Sequence, residues 1–597
     1  MGFFDSDGGI LLDLLFAVVV LFLPAVAGLA FAASRGIASR PIQAIFAIST
    51  PCVLAYGAGG FYLFNPGVGR GVTIGAYAVV VVGGGLVAVR HWTVVSESLR
   101  WWAAPALTTV AAAAFSLGLG FLHGAFAHPL HLAEGRYIHR LANDNVLPAR
   151  FAAQLLASAR PLPHKLYSTA PWLASDRPPL QTAVYVMARS VFGGADPVGQ
   201  GYEAMGVLLQ SLWAPALWCL LWAAGLSRKI IAGTLVSVVL TGFVIFNSFY
   251  VWPKLFPGAL LVLVAAVIFD DGWRELRAGA WAGIACGTAA GLALLGHTGS
   301  ALALIPMVVL LVAVPAWRPR WRAAIPAVAA VVVLATPWTL YQRYVDPPGT
   351  NLLKLQLAGP QYLAPNVAVT TAVARAYWDN SIGTTIGNKA SNFAESFDHE
   401  EVAVSNFGEL VGHLFTSSSG WSGPLASAAL VERNLTYLYL LPALGFFAVG
   451  PLAWLFAYFA RRRRAGRPQR RLGLPGDAQR IRLAGRLWVF VLLSLVVWAL
   501  VLFPVGSETV EQGSYAVELL AFGAAVISLR LVSKWAAAAV MLLQAVFGVV
   551  VYALVNPTVP GVPPLPTGID WWMAIVMVAG LVAVAGLPLL APRSRGG

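Results

Sequence analysis

Two short segments of this chain carry charges in a pattern that could do chemistry. Glu134-Gly-Arg-Tyr137 and Asp176-Arg-Pro-Pro-Leu180 both fall in residues 127–200, a hydrophilic stretch between two hydrophobic spans. A carboxylate such as Glu134 can take a proton from a hydroxyl that comes within about 3 Å. An arginine such as Arg177 presents a planar fork of donors that grips two phosphate oxygens at once. Carboxylates and arginines directly after a span suit chemistry on a lipid-linked phosphate at a membrane surface.

Each residue also has a plainer reading. In 131–143 (HLAEGRYIHRLAN), Glu134, Tyr137, Ile138 and Leu141 share one helical face, with Arg136 and Arg140 on another. That pattern fits an interfacial helix with snorkelling arginines as well as a positioned base. Asp176 before two prolines reads as the cap of a helix running to about residue 192, or as a secondary acid, and capping leaves Arg177 unexplained. In Tyr250-Val-Trp-Pro-Lys254, Lys254 is either an interfacial belt residue or a cation facing an anionic headgroup. Lys354, in Asn351-Leu-Leu-Lys354, is a candidate second phosphate contact. His297 reads as interfacial. The cluster Asp398-His399-Glu400-Glu401 reads as a solvated acidic loop, with a divalent cation as the alternative. No cofactor is otherwise implied.

The elements that must position these residues are membrane helices. The chain has 597 residues, 58% hydrophobic and only 11% charged, against roughly a quarter charged in soluble proteins. Apolar runs of about twenty residues recur, each long enough to cross a bilayer. We expect an all-α polytopic membrane protein of about fifteen transmembrane helices, from 10–32 to 571–590. Spans at 230–249, 255–270, 279–296, 300–316, 434–458 and 515–529 are among them.

Basic residues set the sidedness. Arg35/Arg40, Arg90/Arg100, Arg228/Lys229, Arg274/Arg277, Arg318/Arg320/Arg322, Arg461–Arg464, Arg530/Lys534 and Arg593/Arg595 fall on alternate loops, which the positive-inside rule makes cytoplasmic. The N-terminus is then outside and the C-terminus inside. The net charge of +14 follows from this retention of Lys and Arg and is no nucleic-acid footprint. Two long loops with short helices, 127–200 and 343–432, are expected outside. The cytoplasmic side has only short turns and the basic linker 459–484, leaving no room for a nucleotide-sugar or ATP domain. Cys52, Cys219 and Cys286 fall in separate spans, so no disulfide is expected.

With these features in place, residues 115–270 resemble the membrane GT-C glycosyltransferases, in the branch of protein O-mannosyltransferases and lipid A aminoarabinose transferases. That family follows a span with an acidic Asp-Glu-x-Arg-Tyr-like segment and, some tens of residues later, a Lys-Pro-Pro-Leu-like segment opening a helix. The matching stretches are Ala133-Glu134-Gly135-Arg136-Tyr137 and Asp176-Arg177-Pro178-Pro179-Leu180, with Val191-Phe192-Gly193 closing the helix. The resemblance implies a catalytic core at 101–342, preceded by a three-span addition at 1–100 and followed by the second outer loop, 343–432, and a five-span region, 433–597. It implies transfer of a sugar from a polyprenyl-phosphate donor to a glycan, lipid or protein acceptor, on the outer face of a bacterial inner membrane. Arg177 stands where the family has a lysine on the lipid phosphate, with Lys254 and Arg136 as further phosphate contacts. Ala133 stands where the family's first acid falls, so either Glu134 takes the role of base or Asp144, the next candidate, does. A lipid-linked glycan ligase or polymerase, a transporter or flippase, and an inactive scaffold are the alternatives.

Overall fold

A computed structural model describes residues 7–124, 126, 129–130, 132–133, 143–157, 173–193, 199–269, 273–347, 349–363, 367–395, 443–465, 476–504, 513–554 and 568–591. Glu134, Arg136, the Asp144 side chain and the Asp398–Glu401 cluster lie outside the described residues. So does most of the basic linker.

The described residues form helices and no β-strand. Among the described residues, nine helices are long and apolar enough to cross a membrane: Gly9–Ser34, Arg40–Leu63, Pro66–Arg90, Trp92–Gly120, Gln200–Ala223, Trp321–Tyr344, Asp477–Val501, Lys534–Leu554 and Trp571–Leu590. The chain is a multi-pass membrane protein. The expected span at 230–249 is a broken pair, Arg228–Val239 and Gly242–Phe249, bent by 64°. The expected spans at 255–270, 279–296, 300–316 and 515–529 are shorter helices: Leu255–Phe269, Ala280–Gly296, Ala301–Ala313 and Ala516–Val532. Of 434–458, the structure describes the part from residue 443, where Gly450–Ala465 is helical.

The reason these helices can be short is burial. Every residue of Leu255–Phe269 is buried. At 1.5 Å per residue its 15 residues span about 22 Å, short of the roughly 30 Å hydrocarbon core. A helix sheathed by other helices need not match the bilayer, and irregular backbone can continue it at membrane depth when protein covers it. The segment before it does this: Tyr250, Val251, Trp252 and Lys254 are all buried, and Val251 has φ +50.

One large buried core contains residues from Ile10 to Ala591. Glycines let helices approach within it. A methyl at Gly283 or Gly287 would fall 2.0 or 2.2 Å from the backbone oxygens of Ala323 and Ala327, so Ala280–Gly296 and Trp321–Tyr344 touch backbone to backbone.

The loops sort into two ends. At one, Arg480 donates to the carbonyls of Ala224 and Gly225, Arg486 to Phe269, Arg277 to Ala316, and Arg228 to Leu589. Arg228, Arg277 and the loops that these arginines tie belong to the set that the basic-residue pattern groups on one side. At the other end, the Asp570 amide donates to Leu122, the Phe503 amide to Gln356, and the Ser175 amide to Asp346.

Candidate functional site

At this second end the structure assembles charged side chains from three distant segments. Asp176 ends a short 3-10 turn, Ala174–Asp176, and is 3% exposed. Its Oδ2 accepts from the Leu173 amide at 2.8 Å and from Asn351 Nδ2 at 3.2 Å, and its Oδ1 accepts from the Asn351 amide at 2.8 Å. Burial, the largest influence, pushes this carboxyl above the usual range, against the pull of those donors and of Arg177. Asp176 therefore does not cap the helix that follows it. Two prolines hold Arg177 extended (φ −108, ψ 135), so the helix starts only at Leu180, with Pro179 as its cap residue. Asp176 serves the first residue of another helix, Asn351–Ala358. The Leu180–Phe192 helix closes at Gly193 with φ +73.

The 342–354 segment clasps the same turn. Ser175 donates its amide to Asp346 Oδ2 at 3.0 Å and its hydroxyl to the Asp346 carbonyl at 2.7 Å, while Gln342 Nε2 donates to the Ser175 carbonyl at 2.8 Å. Lys354 is wholly shielded from solvent. Burial pushes its ammonium down and the charge of Asp176 opposes that.

Lys254 is not an exposed belt residue. It is 2% exposed, with Nζ 3.6 Å from the centre of the Trp252 ring and 5.1 Å from that of Tyr515. Such contacts are worth about 2 kcal/mol or more when desolvated, enough to hold a cation where solvation is poor. His297 is likewise buried and meets Trp252 edge to face at 6.2 Å. Burial, then Lys254, then Arg177 push its pKa well below the ordinary value. His297 is thus a neutral imidazole. Its Nδ1 accepts from the Gly299 amide at 3.0 Å, which leaves the proton on Nε2. Lys254 and His297 thus pack against the same Trp252 ring.

A buried amide network connects the two cationic segments. Gln181, in the first turn after Arg177-Pro-Pro, donates through Nε2 to Tyr202 Oη at 2.6 Å and to the Val251 carbonyl at 2.9 Å. Its Oε1 accepts from Gln210 Nε2 at 3.0 Å, and Gln210 Oε1 accepts from the Phe256 amide at 3.1 Å. Tyr202 Oη passes the network on to the Asn145 carbonyl at 3.3 Å, beside Asp144. The turn bearing Lys254 is thereby fixed relative to Arg177.

The structure thus brings Arg177, Lys254, Lys354 and Asp176 into one region. His297, Trp252, Tyr515 and Gln181 belong there too, and sequence reasoning did not assign them to it. A polar residue inside an apolar stretch is the only sequence signal they carry. Among the described residues, no group of three or more His, Cys, Asp and Glu could hold a metal ion. The Leu255–Phe269 and Ala516–Val532 helices begin side by side here: a methyl on Gly258 would lie 2.9 Å from the Ala516 amide nitrogen. Two helix N-termini add positive potential to that of the side chains. The arrangement can neutralise a multiply charged oxyanion and offer it a neutral N–H.

The fold and site define a multi-pass all-α membrane protein with a cationic, aromatic-walled site at one end of its helices. Comparison with protein-family models, curated proteins and solved structures returns no match.

Proposed function

We propose that this protein is a glycosyltransferase that moves a sugar from a polyprenyl-phosphate donor to an acceptor hydroxyl on the outer face of a bacterial inner membrane. The observation that carries the reading is that Gln181, four residues after Arg177, donates to the Val251 carbonyl of the turn bearing buried Lys254, which fixes two cationic residues relative to each other at one end of a membrane protein. An anionic headgroup whose tail stays in the bilayer would reach such a site sideways. The acceptor hydroxyl attacks the anomeric carbon through an oxocarbenium-like transition state. Arg177 and Lys254, preorganised and poorly solvated, neutralise the charge that develops on the departing lipid phosphate. Lys354, on the helix whose first amide Asp176 binds, adds positive charge. A carboxylate accepts the acceptor's proton; the resemblance offers Glu134 or Asp144 for that role and Arg136 as a further phosphate contact. The resemblance to GT-C enzymes at Ala133–Tyr137 and Asp176–Leu180 supports the same assignment, including the outer location with the N-terminus outside and the C-terminus in the cytoplasm.

The test is turnover by the purified full-length protein of a panel of polyprenyl-phosphate sugars, read as release of polyprenyl phosphate. Turnover that falls at least tenfold in Arg177→Ala and Lys254→Met supports the enzyme. Turnover only of lipid-linked oligosaccharides makes it a ligase or polymerase. Sugar or lipid crossing liposomes without bond cleavage makes it a transporter, and neither result leaves a scaffold.

A further inference from the structure

We infer that Glu518, in the C-terminal part of the chain, is a catalytic residue that takes the proton from the acceptor hydroxyl. This rests on the glycosyl-transfer reading above. Glu518 lies in the first turn of the Ala516–Val532 helix, whose start abuts the helix that begins just after Lys254. It is 6% exposed, and its Oε2 has no hydrogen-bond partner among the described residues. Tyr515, the cap residue of this helix, has its ring centre 5.1 Å from Lys254 Nζ.

A buried carboxylate oxygen without a donor is costly, and a catalytic role is one of the reasons a native protein sustains it. A mere counter-charge would gain most by giving both oxygens to donors. Here one oxygen is held in reserve beside the cation that would meet the lipid phosphate. The base must reach the acceptor hydroxyl as that oxygen attacks the anomeric carbon, which is itself one bond from the phosphate oxygen that leaves.

The step balances as follows. The acceptor oxygen forms a bond to the anomeric carbon while its proton passes to Glu518 Oε2. The bond from that carbon to the phosphate oxygen breaks, and its electron pair leaves on polyprenyl phosphate, which Arg177 and Lys254 receive. The proton then passes from Glu518 to water. This assignment supplies a carboxylate to a chain in which Ala133 occupies the position of the family's acid.

The experiment compares wild type, Glu518→Gln and Glu518→Asp, as full-length protein in lipid nanodiscs. It follows polyprenyl-phosphate-sugar turnover and, separately, polyprenyl phosphate binding. Turnover by Glu518→Gln is expected to fall about 100-fold or more with a hydroxyl acceptor. Binding is expected to stay within about threefold of wild type. Azide, an acceptor with no proton to lose, is expected to restore donor cleavage. Unchanged turnover in Glu518→Gln overturns the inference while leaving the transferase intact. So does a loss matched by an equal loss of binding, which would make Glu518 a counter-charge to Lys254. Should Glu518→Gln not fold, Glu518→Asp carries the test: its turnover is expected to drop and the acid limb of its pH–rate profile to move, and an unmoved limb overturns the inference. A wild type inert on every donor removes the transferase reading itself, and this inference with it.

Discussion

Arg177 and Lys254 are different kinds of cation in this site. Lys254 is a compact charge clasped between two aromatic rings. Arg177 is half-buried, at the mouth of the Leu180–Phe192 helix, with a fork of donors to offer. Charge-assisted hydrogen bonds contribute about 1.5–3 kcal/mol each. Arg177→Ala should therefore weaken polyprenyl phosphate binding by about ten- to a hundredfold. Arg177→Lys should recover only part of that, because the charge returns without the bidentate geometry. Titrating both variants with polyprenyl phosphate in nanodiscs checks this, and equal affinity in Lys and Ala variants would remove the role of charge.

A pH dependence follows at Lys389. Its Nζ donates to the Leu502 carbonyl, at the end of the Asp477–Val501 helix. Burial pulls its ammonium down to about 8, against about 10.4 in an unfolded chain. Below about 8 both states are protonated and the burial cost is fully present. As pH rises from there towards about 10, the unfolded state holds more protons, so this group makes the folded state progressively more stable. Lys389→Met should flatten that rise, seen by comparing the Tm of variant and wild type from pH 7.5 to about 10.

At the scale of the element, the decisive piece is the irregular turn between Gly242–Phe249 and Leu255–Phe269. Val251 holds φ +50 there, a left-handed conformation that costs a branched residue about 1–2 kcal/mol. Full burial of its side chain recovers about 1.5–3 kcal/mol, so the strain is sustained as long as the turn stays packed. Two contacts keep it packed. Gln181 donates to the Val251 carbonyl, and Gly206 leaves room for Val251, since a methyl there would fall 2.7 Å from its Cγ1. Gln181→Leu strands the Tyr202 hydroxyl, the Gln210 amide and the Val251 carbonyl, and should cost about 1–3 kcal/mol of stability. Gly206→Ala should displace the turn and weaken polyprenyl phosphate binding although it touches no charge. Thermal unfolding and binding measured on both variants separate the effects: a Gly206→Ala protein that binds normally would show that the turn's placement does not matter to the site.

At the scale of the whole molecule, the two ends of the helices predict accessibility. The native cysteines Cys52, Cys219 and Cys286 are buried and free, so they leave little background for a thiol reagent. Ser381 and Ser227 are exposed, and belong to segments that the basic-residue pattern places on opposite sides. In intact cells, Ser381→Cys should react with a membrane-impermeant maleimide and Ser227→Cys should react only after permeabilisation. The reverse pattern would invert the proposed orientation and put the Arg177–Lys254 site in the cytoplasm.

What could be read from the sequence follows from how strong each local signal is. Apolar runs and basic loops report directly on bilayer solvation, so the all-α multi-pass class and the grouping of loops such as 224–229, 269–279 and 314–322 at one end were legible residue by residue. Arg177 and Lys254 were legible as candidates because an isolated cation in an apolar chain is rare. Span length was less legible: hydropathy cannot tell a helix facing lipid from the sheathed Leu255–Phe269 helix, because both are apolar all round. The cap role read into Asp176 failed because its real partner, Asn351, lies in a distant segment of the chain. The sequence by itself determined the solvent this chain lives in and the rarity of its charges. Only the tertiary structure decided which of those charges meet, because buried electrostatics depends on distances that helices far apart in the chain set by packing.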